Sequence, residues 1–385
     1  MDFSLDPDQQ ALRDSVRRMA ISRFGPKAYT WEDRDEYPWE NARVLAEQGL
    51  TGMVLPEEDG GHAIPLLDAL IVLEEITRVC PHTADVLQAA NFGAIRVLGQ
   101  FGTPDLKLKV LPEILAGDAI ITAGMTEPEA GSSLTDLRTT ARIDGGEVVI
   151  NGSKTFNSNA PHAKYFVVWV RFGPKSSHIG AVLVERGAPG FQVGNPQRYM
   201  SGEAFSMLYF DDCRVPIQNV ILDGDGFRRQ MQIFNVERLG NATRALALAQ
   251  HAFDLAVAHA LERRQFDRPI AEFQGIQWKV ADMKMKLDAS RLLIYRAATE
   301  LDENGNPLLI NTSMAKAFTN QAAFEVASEA LQIFGGYGYS KEYPLEYILR
   351  RVRGWMIAGG SVEMQKNKIA EEVFGRRFPQ RPVRV

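Results

Sequence analysis

Val148-Val149-Ile150-Asn151-Gly152-Ser153-Lys154-Thr155-Phe156-Asn157-Ser158 marks the point where the chain changes texture. Three β-branched residues lead into Asn-Gly, a dipeptide that favours a tight turn. Beyond it Phe156 and Ser158 stand two apart, and strand alternation puts them on one side. Short β-branched or aromatic runs bounded by Gly and Pro follow at 165–170, 179–184 and 207–210. This spacing predicts an antiparallel sheet or barrel from about residue 121 to 222.

Before this stretch the chain reads as helix. Leu12, Val16 and Met19 recur at spacings of four and three, which places them on one helical face, and Pro7 suits a first turn. Residues 66–79 are denser in apolar side chains and predict a more buried helix, closed by Pro81. The pattern returns over 91–115, broken at Gly102-Thr103-Pro104. After Gly226 helix resumes over 238–261, 276–301 and 312–334, the last two separated by the Asn304-Gly305-Asn306-Pro307 turn. Helix, then sheet, then helix is not βαβ alternation. The expectation is an α+β multidomain chain, with a helical domain over 1–120, a β-domain over 121–225 and a helical domain over 226–385.

The 385 residues carry 43 basic and 48 acidic side chains, a net charge of -5 that argues against nucleic-acid binding by phosphate neutralisation. Cys80 and Cys213 alone exclude a disulfide scaffold or a cysteine-based zinc cluster and suit a reducing compartment. The start, Met1-Asp2-Phe3-Ser4, shows no signal peptide, and no run reaches the roughly 18 apolar residues of a membrane helix. A cytoplasmic protein is expected. His62, His82, His162, His178, His251 and His259 show no metal-ligand spacing. The G-x-S-x-G, P-loop, G-x-G-x-x-G and H-E-x-x-H signatures are absent.

Four segments could carry chemistry, each with a plainer alternative. Met125-Thr126-Glu127-Pro128-Glu129-Ala130-Gly131-Ser132 leaves backbone N–H and hydroxyl donors for a flavin pyrimidine edge or a phosphate, or is a tight interdomain turn. Phe156 and Ser158 offer a flat wall and a hydrogen bond, or belong to an ordinary hairpin. Glu237, in Val236-Glu237-Arg238-Leu239-Gly240, leads into an alanine-rich apolar helix. There a carboxylate has a raised pKa and can act as a base, or it simply favours a helix N-terminus. The glycines of 332–339 and 359–363 allow close approach to a bulky ligand, or form loops between helices.

Together these segments resemble the acyl-CoA dehydrogenase family over nearly the whole chain. The M-T-E-P-x-A-G-S loop, the N-G-x-K strand, Arg263-Arg264-Gln265-Phe266, Phe273-Gln274, Ala281-Asp282-Met283 and the glycine loop at 332–339 stand in family order. The resemblance implies a middle β-domain, a C-terminal four-helix bundle, non-covalent FAD and a homotetramer built as a dimer of dimers. It places Met125 and Thr126 at the flavin pyrimidine edge and Ser132 near the pyrophosphate or the CoA arm. Phe156 replaces a tryptophan beside the flavin, and Ser158 replaces a threonine that bonds flavin N5. Asn157 stands where an apolar residue is usual. Arg263, Gln265 and Phe266 resemble the segment that reaches a neighbouring subunit's FAD. Gln332 and Gly336 resemble that neighbour's adenosine site, and Ser361 with Glu363 a further adenine-side contact. Asn235, Arg238 and Gly360 match substrate-side positions.

Most members of the family place the catalytic glutamate where this chain has Gly359; a minority carry it on the earlier helix, which here offers Glu237. The implied reaction is removal of an acyl-CoA α-proton by Glu237 with hydride transfer to FAD, giving the trans-2-enoyl-CoA. An electron-transfer flavoprotein is the implied acceptor. Gly359 weakly favours a bulky or branched acyl group. Variants on the same scaffold are an enoyl-CoA reductase, a desulfinase, or a non-catalytic subunit of a hetero-oligomer. The position of the desulfinase arginine here holds Asp85. Arg350, Arg351, Arg353, Arg376, Arg377, Arg381 and Arg384 are expected to form a solvated basic face.

Overall fold

The computed structural model describes residues 4–29 and 36–378, the Gln232 side chain excepted. Met1, Asp2 and Phe3 of the stretch read for a signal peptide, and Arg381 and Arg384 of the basic C-terminus, lie outside the described residues. Contacts divide the chain into two units, Ser4–Gly240 and Asn241 onward.

Among the described residues the first unit opens with six α-helices: α1 (Pro7–Arg23), α2 (Trp39–Glu47), α3 (Leu66–Val79), α4 (Pro81–Asn91), α5 (Ala94–Phe101) and α6 (Pro104–Leu115). Local chemistry sets the ends. The Asp6 side chain accepts from Gln9 N, and the Gln9 side chain caps back onto Asp6, ahead of Pro7 in the first turn. Thr103 caps α6 by accepting from Leu106 N. Pro81 was expected to close a helix; it also opens α4, because a first-turn residue needs no N–H donor.

Nine strands follow: β1 (Ile121–Gly124), β2 (Thr140–Asp144), β3 (Glu147–Ser158), β4 (Tyr165–Arg171), β5 (Ile179–Glu185), β6 (Phe191–Val193), β7 (Gln197–Arg198), β8 (Ala204–Pro216) and β9 (Val220–Leu222). The sheet runs β6-β8-β3-β2-β4-β5-β9, with β1 on β4 and β7 on β8. Two corrections follow. The sheet is open rather than a closed barrel, since β6 and β9 end the path without pairing. It is also mixed rather than antiparallel, since β1 pairs with β4 in parallel over Ile121–Gly124. Strand alternation shows which residues face inward but not which edges meet. The expected Asn151-Gly152 turn is instead a bulge inside β3. Gly152 sits at φ 141, and the Asn151 side chain pairs with Asp212 on β8.

Leu98, Val110, Ile121, Tyr165, Val167, Trp169, Ile179 and Leu183 form a core joining α5, α6, β1, β4 and β5. Each such side chain contributes roughly 1.5–3 kcal/mol by leaving water.

The helical C-terminal part holds α7 (Gly226–Glu262), β10 (Arg264–Gln265), β11 (Arg268–Pro269), α8 (Gln274–Thr299), α9 (Leu309–Phe334), α10 (Gly336–Tyr339), α11 (Leu345–Trp355) and α12 (Val362–Val373). Among the described residues, five of these helices run eleven residues or longer. Helix α9 is central and packs against α8, α11 and α12 through Ala315, Val326, Ala327 and Ala330. Arg351 corrects the expectation of a solvated basic face: it is buried, 5.1 Å from the Trp355 ring, with Arg244 5.0 Å from the same ring. Among the described residues no helix is long and apolar enough to cross a membrane, and Cys80 and Cys213 are buried free thiols.

Candidate active site

The 125–130 loop is fastened from below by an ion pair that reading the sequence missed. Glu127, 6% exposed, accepts from Lys154 Nζ at 2.7 Å, Thr139 Oγ1 at 2.6 Å, Thr139 N at 2.9 Å and Arg138 N at 2.5 Å. Lys154 is wholly buried. Burial alone would push the Glu127 carboxyl up, but the Lys154 ammonium and these hydrogen bonds hold it below the ordinary carboxylate value. Burial brings Lys154 down to about 8, with Glu127 resisting. The two motifs containing these residues were both visible; their pairing was not. One residue further along β3, Thr155 N donates to Thr126 O at 2.8 Å, so Met125 and Thr126 lie beside the Lys154–Phe156 segment. The Thr126 hydroxyl makes no hydrogen bond among the described residues. Ser132 is exposed and is not tied to this group.

Within a register shift between Lys154 and Asn157, Phe156 takes φ 54 and is 58% exposed. Ser158 is exposed too, with Asn157 buried between them, as alternation predicts. The Asn157 amide turns inward and donates to Ser206 O at 2.9 Å. Tyr199, not picked out from the sequence, donates to Phe156 O at 3.0 Å and lies 3.1 Å from Ser158 Oγ. Its ring stacks on Phe205 at 4.4 Å.

Glu237 lies inside α7 rather than at the helix start where the sequence placed it, so a terminal dipole does not account for it. It lines a small pocket with Phe92, Ala94, Val97, Ala123, Ile233 and Phe234. Trp169 and Gln230 line the same cavity, and their Nε1 and Oε1 atoms are buried without a protein hydrogen-bond partner. The Gln230 amide donates to Met125 Sδ at 3.6 Å, linking α7 to the 125–130 loop. Asn235 and Arg238 face each other: Arg238 Nη1 donates to Asn235 Oδ1 at 2.9 Å, and burial brings Arg238 down to about 10.

The remaining expected residues belong to the second unit. Arg263 lies 5.9 Å from the Tyr337 ring, so the 263–266 segment and the glycine segment meet. Strands β10 and β11 are joined by Phe266 and Asp267 at φ 50 and 63, a turn that leaves Phe266 88% exposed. Gln265 is exposed, and its amide folds onto Arg264 O at 2.7 Å. Gln332 and Gly336 are exposed at the end of α9 and the start of α10. Ser361 caps α12 by accepting from Met364 N at 3.4 Å. Backbone hydrogen bonding and the Ser361 hydroxyl hold the Glu363 carboxyl below its ordinary value. Gly359 and Gly360 take φ 72 and 87, a conformation that disfavours a side chain at either position.

An unengaged hydroxyl at Thr126, an exposed flat ring at Phe156 and an exposed hydroxyl at Ser158 fit a planar, polar-edged cofactor. Comparison with known proteins shows the family. The descriptions "Acyl-CoA dehydrogenase, N-terminal domain", "middle domain" and "C-terminal domain" match residues 6–118, 122–213 and 224–374. The chain is 37% identical to acryloyl-CoA reductase (NADH) of Anaerotignum propionicum, covering 98% of this chain and 97% of the relative. It is 34% identical to 3-sulfinopropanoyl-CoA desulfinase of Paraburkholderia xenovorans, covering 98% and 99%. Butyryl-CoA dehydrogenase of Megasphaera elsdenii superposes with a TM-score of 0.90 at 32% identity, covering 97% and 100%. The chain belongs to the acyl-CoA dehydrogenase family, FAD-dependent oxidoreductases that act on CH–CH donors.

Proposed function

We propose that this protein dehydrogenates an acyl-CoA thioester between Cα and Cβ, giving the trans-2-enoyl-CoA, with Glu237 as the base. The observation that carries this is Glu237 in an apolar-walled cavity, while position 359 holds a glycine. FAD, when bound, supplies the hydride acceptor for the β-carbon. The chain supplies the rest. Glu237 takes the α-proton, and the apolar walls keep water from the carboxylate. A backbone N–H polarises the thioester oxygen and so stabilises the developing enolate. Thr126 and Met125 hold the pyrimidine edge, Phe156 provides a wall and Ser158 faces N5. Arg263, Gln265, Phe266, Gln332, Gly336, Ser361 and Glu363 serve the adenosine end across a subunit boundary. Ser132, Asn235, Arg238 and Gly360 serve the CoA side. Fixing base and acceptor about one carbon–carbon bond makes both transfers effectively intramolecular.

The same reading includes domains at 1–120, 121–225 and 226–385, a homotetramer, an electron-transfer flavoprotein as acceptor and a cytoplasmic location suited to two free thiols. A second reading, the reverse reaction, is favoured by the identity to acryloyl-CoA reductase. Desulfination fits less well, since Asp85 puts a negative charge where a sulfinate would need a positive one.

Glu237→Gln tests the proposal. The variant should bind FAD as the parent does, yet its yellow colour should persist when acyl-CoA is added without oxygen, at a rate down by at least 10³-fold. Bleaching at the parent's rate would remove Glu237 as base. A panel of thioesters assayed in both directions separates dehydrogenase from reductase.

A further inference from the structure

We propose that Tyr199 is a positioning residue that turns the Ser158 hydroxyl so as to favour the reduced flavin. The inference rests on Ser158 facing N5, as set out above. Tyr199 Oη lies 3.0 Å from Phe156 O and 3.1 Å from Ser158 Oγ. A carbonyl oxygen only accepts, and a phenol has one proton. Tyr199 therefore gives its proton to Phe156 O, and both contacts are hydrogen bonds only if Ser158 donates to the Tyr199 oxygen. With its proton so committed, Ser158 Oγ offers lone pairs to whatever stands on its open side. Oxidised flavin N5 is an acceptor and gains nothing from those lone pairs. Reduced flavin carries N5–H, a donor, and bonds them directly. The preference is therefore built into the chain before any ligand arrives.

The phenol is held where this requires. Its ring stacks on Phe205 at 4.4 Å and 26°, and Phe205 lies 5.2 Å from the Phe156 ring. The Ser158 backbone is fixed independently, because its carbonyl accepts from Thr122 Oγ1 at 2.9 Å. One tyrosine thus sets both the carbonyl of the flat wall and the hydroxyl beside it.

The test is the midpoint potential of FAD bound to the full-length protein. Tyr199→Phe keeps the ring and removes the oxygen. Ser158 is then free to donate to oxidised N5, and the potential should fall. The expected change is several-fold and at most about tenfold in the oxidised-to-reduced equilibrium, about 30 mV for a two-electron couple. In a Ser158→Ala background the same substitution should shift nothing further. An unchanged potential in Tyr199→Phe, or an equal shift with and without Ser158, overturns the proposal. Should Tyr199→Phe fail to hold FAD, Ser158→Ala and Ser158→Thr decide. Alanine should lower the potential and threonine restore it, and equal potentials in all three proteins sink the idea. Failure of the parent itself to bind FAD would instead sink the proposed function.

Discussion

At the scale of single residues, the Glu127–Lys154 pair is the chemistry with the sharpest consequences. Removing one partner leaves a buried charge uncompensated, which typically costs about 3–5 kcal/mol, whereas replacing both with apolar groups costs far less. Glu127→Gln should therefore lower the urea midpoint much more than Glu127→Leu combined with Lys154→Met. Comparable losses in the two proteins would contradict this account. The pH dependence has a definite sign. The folded Glu127 value lies below the ordinary 4.5, so its contribution is complete above that pH and fades as acid takes the carboxyl through its folded value. Urea midpoints followed from about pH 6 down to about pH 3 should drop more steeply in the parent than in Glu127→Gln.

At the scale of elements, β3 depends on an irregularity. A Cβ on Gly152 would stand 2.6 Å from Thr139 Oγ1 and 2.7 Å from Thr139 Cα, at a φ of 141 that L-residues rarely adopt. The backbone clash cannot be relieved by a rotamer change. Gly152→Ala should cost at least about 2 kcal/mol in urea unfolding. It should also weaken FAD retention, because Thr139 is a partner of Glu127 and the displacement propagates to Thr126. A variant as stable as the parent would show that β3 tolerates a different register. Helix α7 makes a related point. Its continuity from Gly226 places Glu237 within regular helix, where the backbone holds the carboxylate's direction.

At the scale of the whole molecule, the proposed tetramer draws on what stays uncovered. Trp278, Met285 and Leu292 recur every seven residues along α8 and are 62%, 63% and 43% exposed. An apolar seam of that period suits a second helix. Together with the exposed Phe266 turn it supports the proposed tetramer. Met285→Lys with Leu292→Lys should reduce the mass seen by light scattering without lowering helix content, since neither side chain serves the unit's own core. A tetramer that survives both lysines would place its interface elsewhere.

The helix-sheet-helix order, the flanks of the sheet and the motifs that point to a flavin and a CoA thioester were all readable in the sequence, because periodicity and turn residues are local properties. The proposal of Glu237 as base came from the family resemblance, with a glycine at position 359. What lay outside that reading depends on partners distant in the chain. An open sheet cannot be told from a barrel until strand edges find or miss each other. Glu127 and Lys154 are 27 positions apart and become one ion pair only when β3 passes beneath the loop. Tyr199 becomes relevant only because β8 and the segment before it return beside Ser158. Gln230 and Trp169 gain meaning only when β4 and α7 wall the same cavity. Local chemistry decided the elements, while burial and hydrogen bonding across long stretches of chain decided which side chains act together.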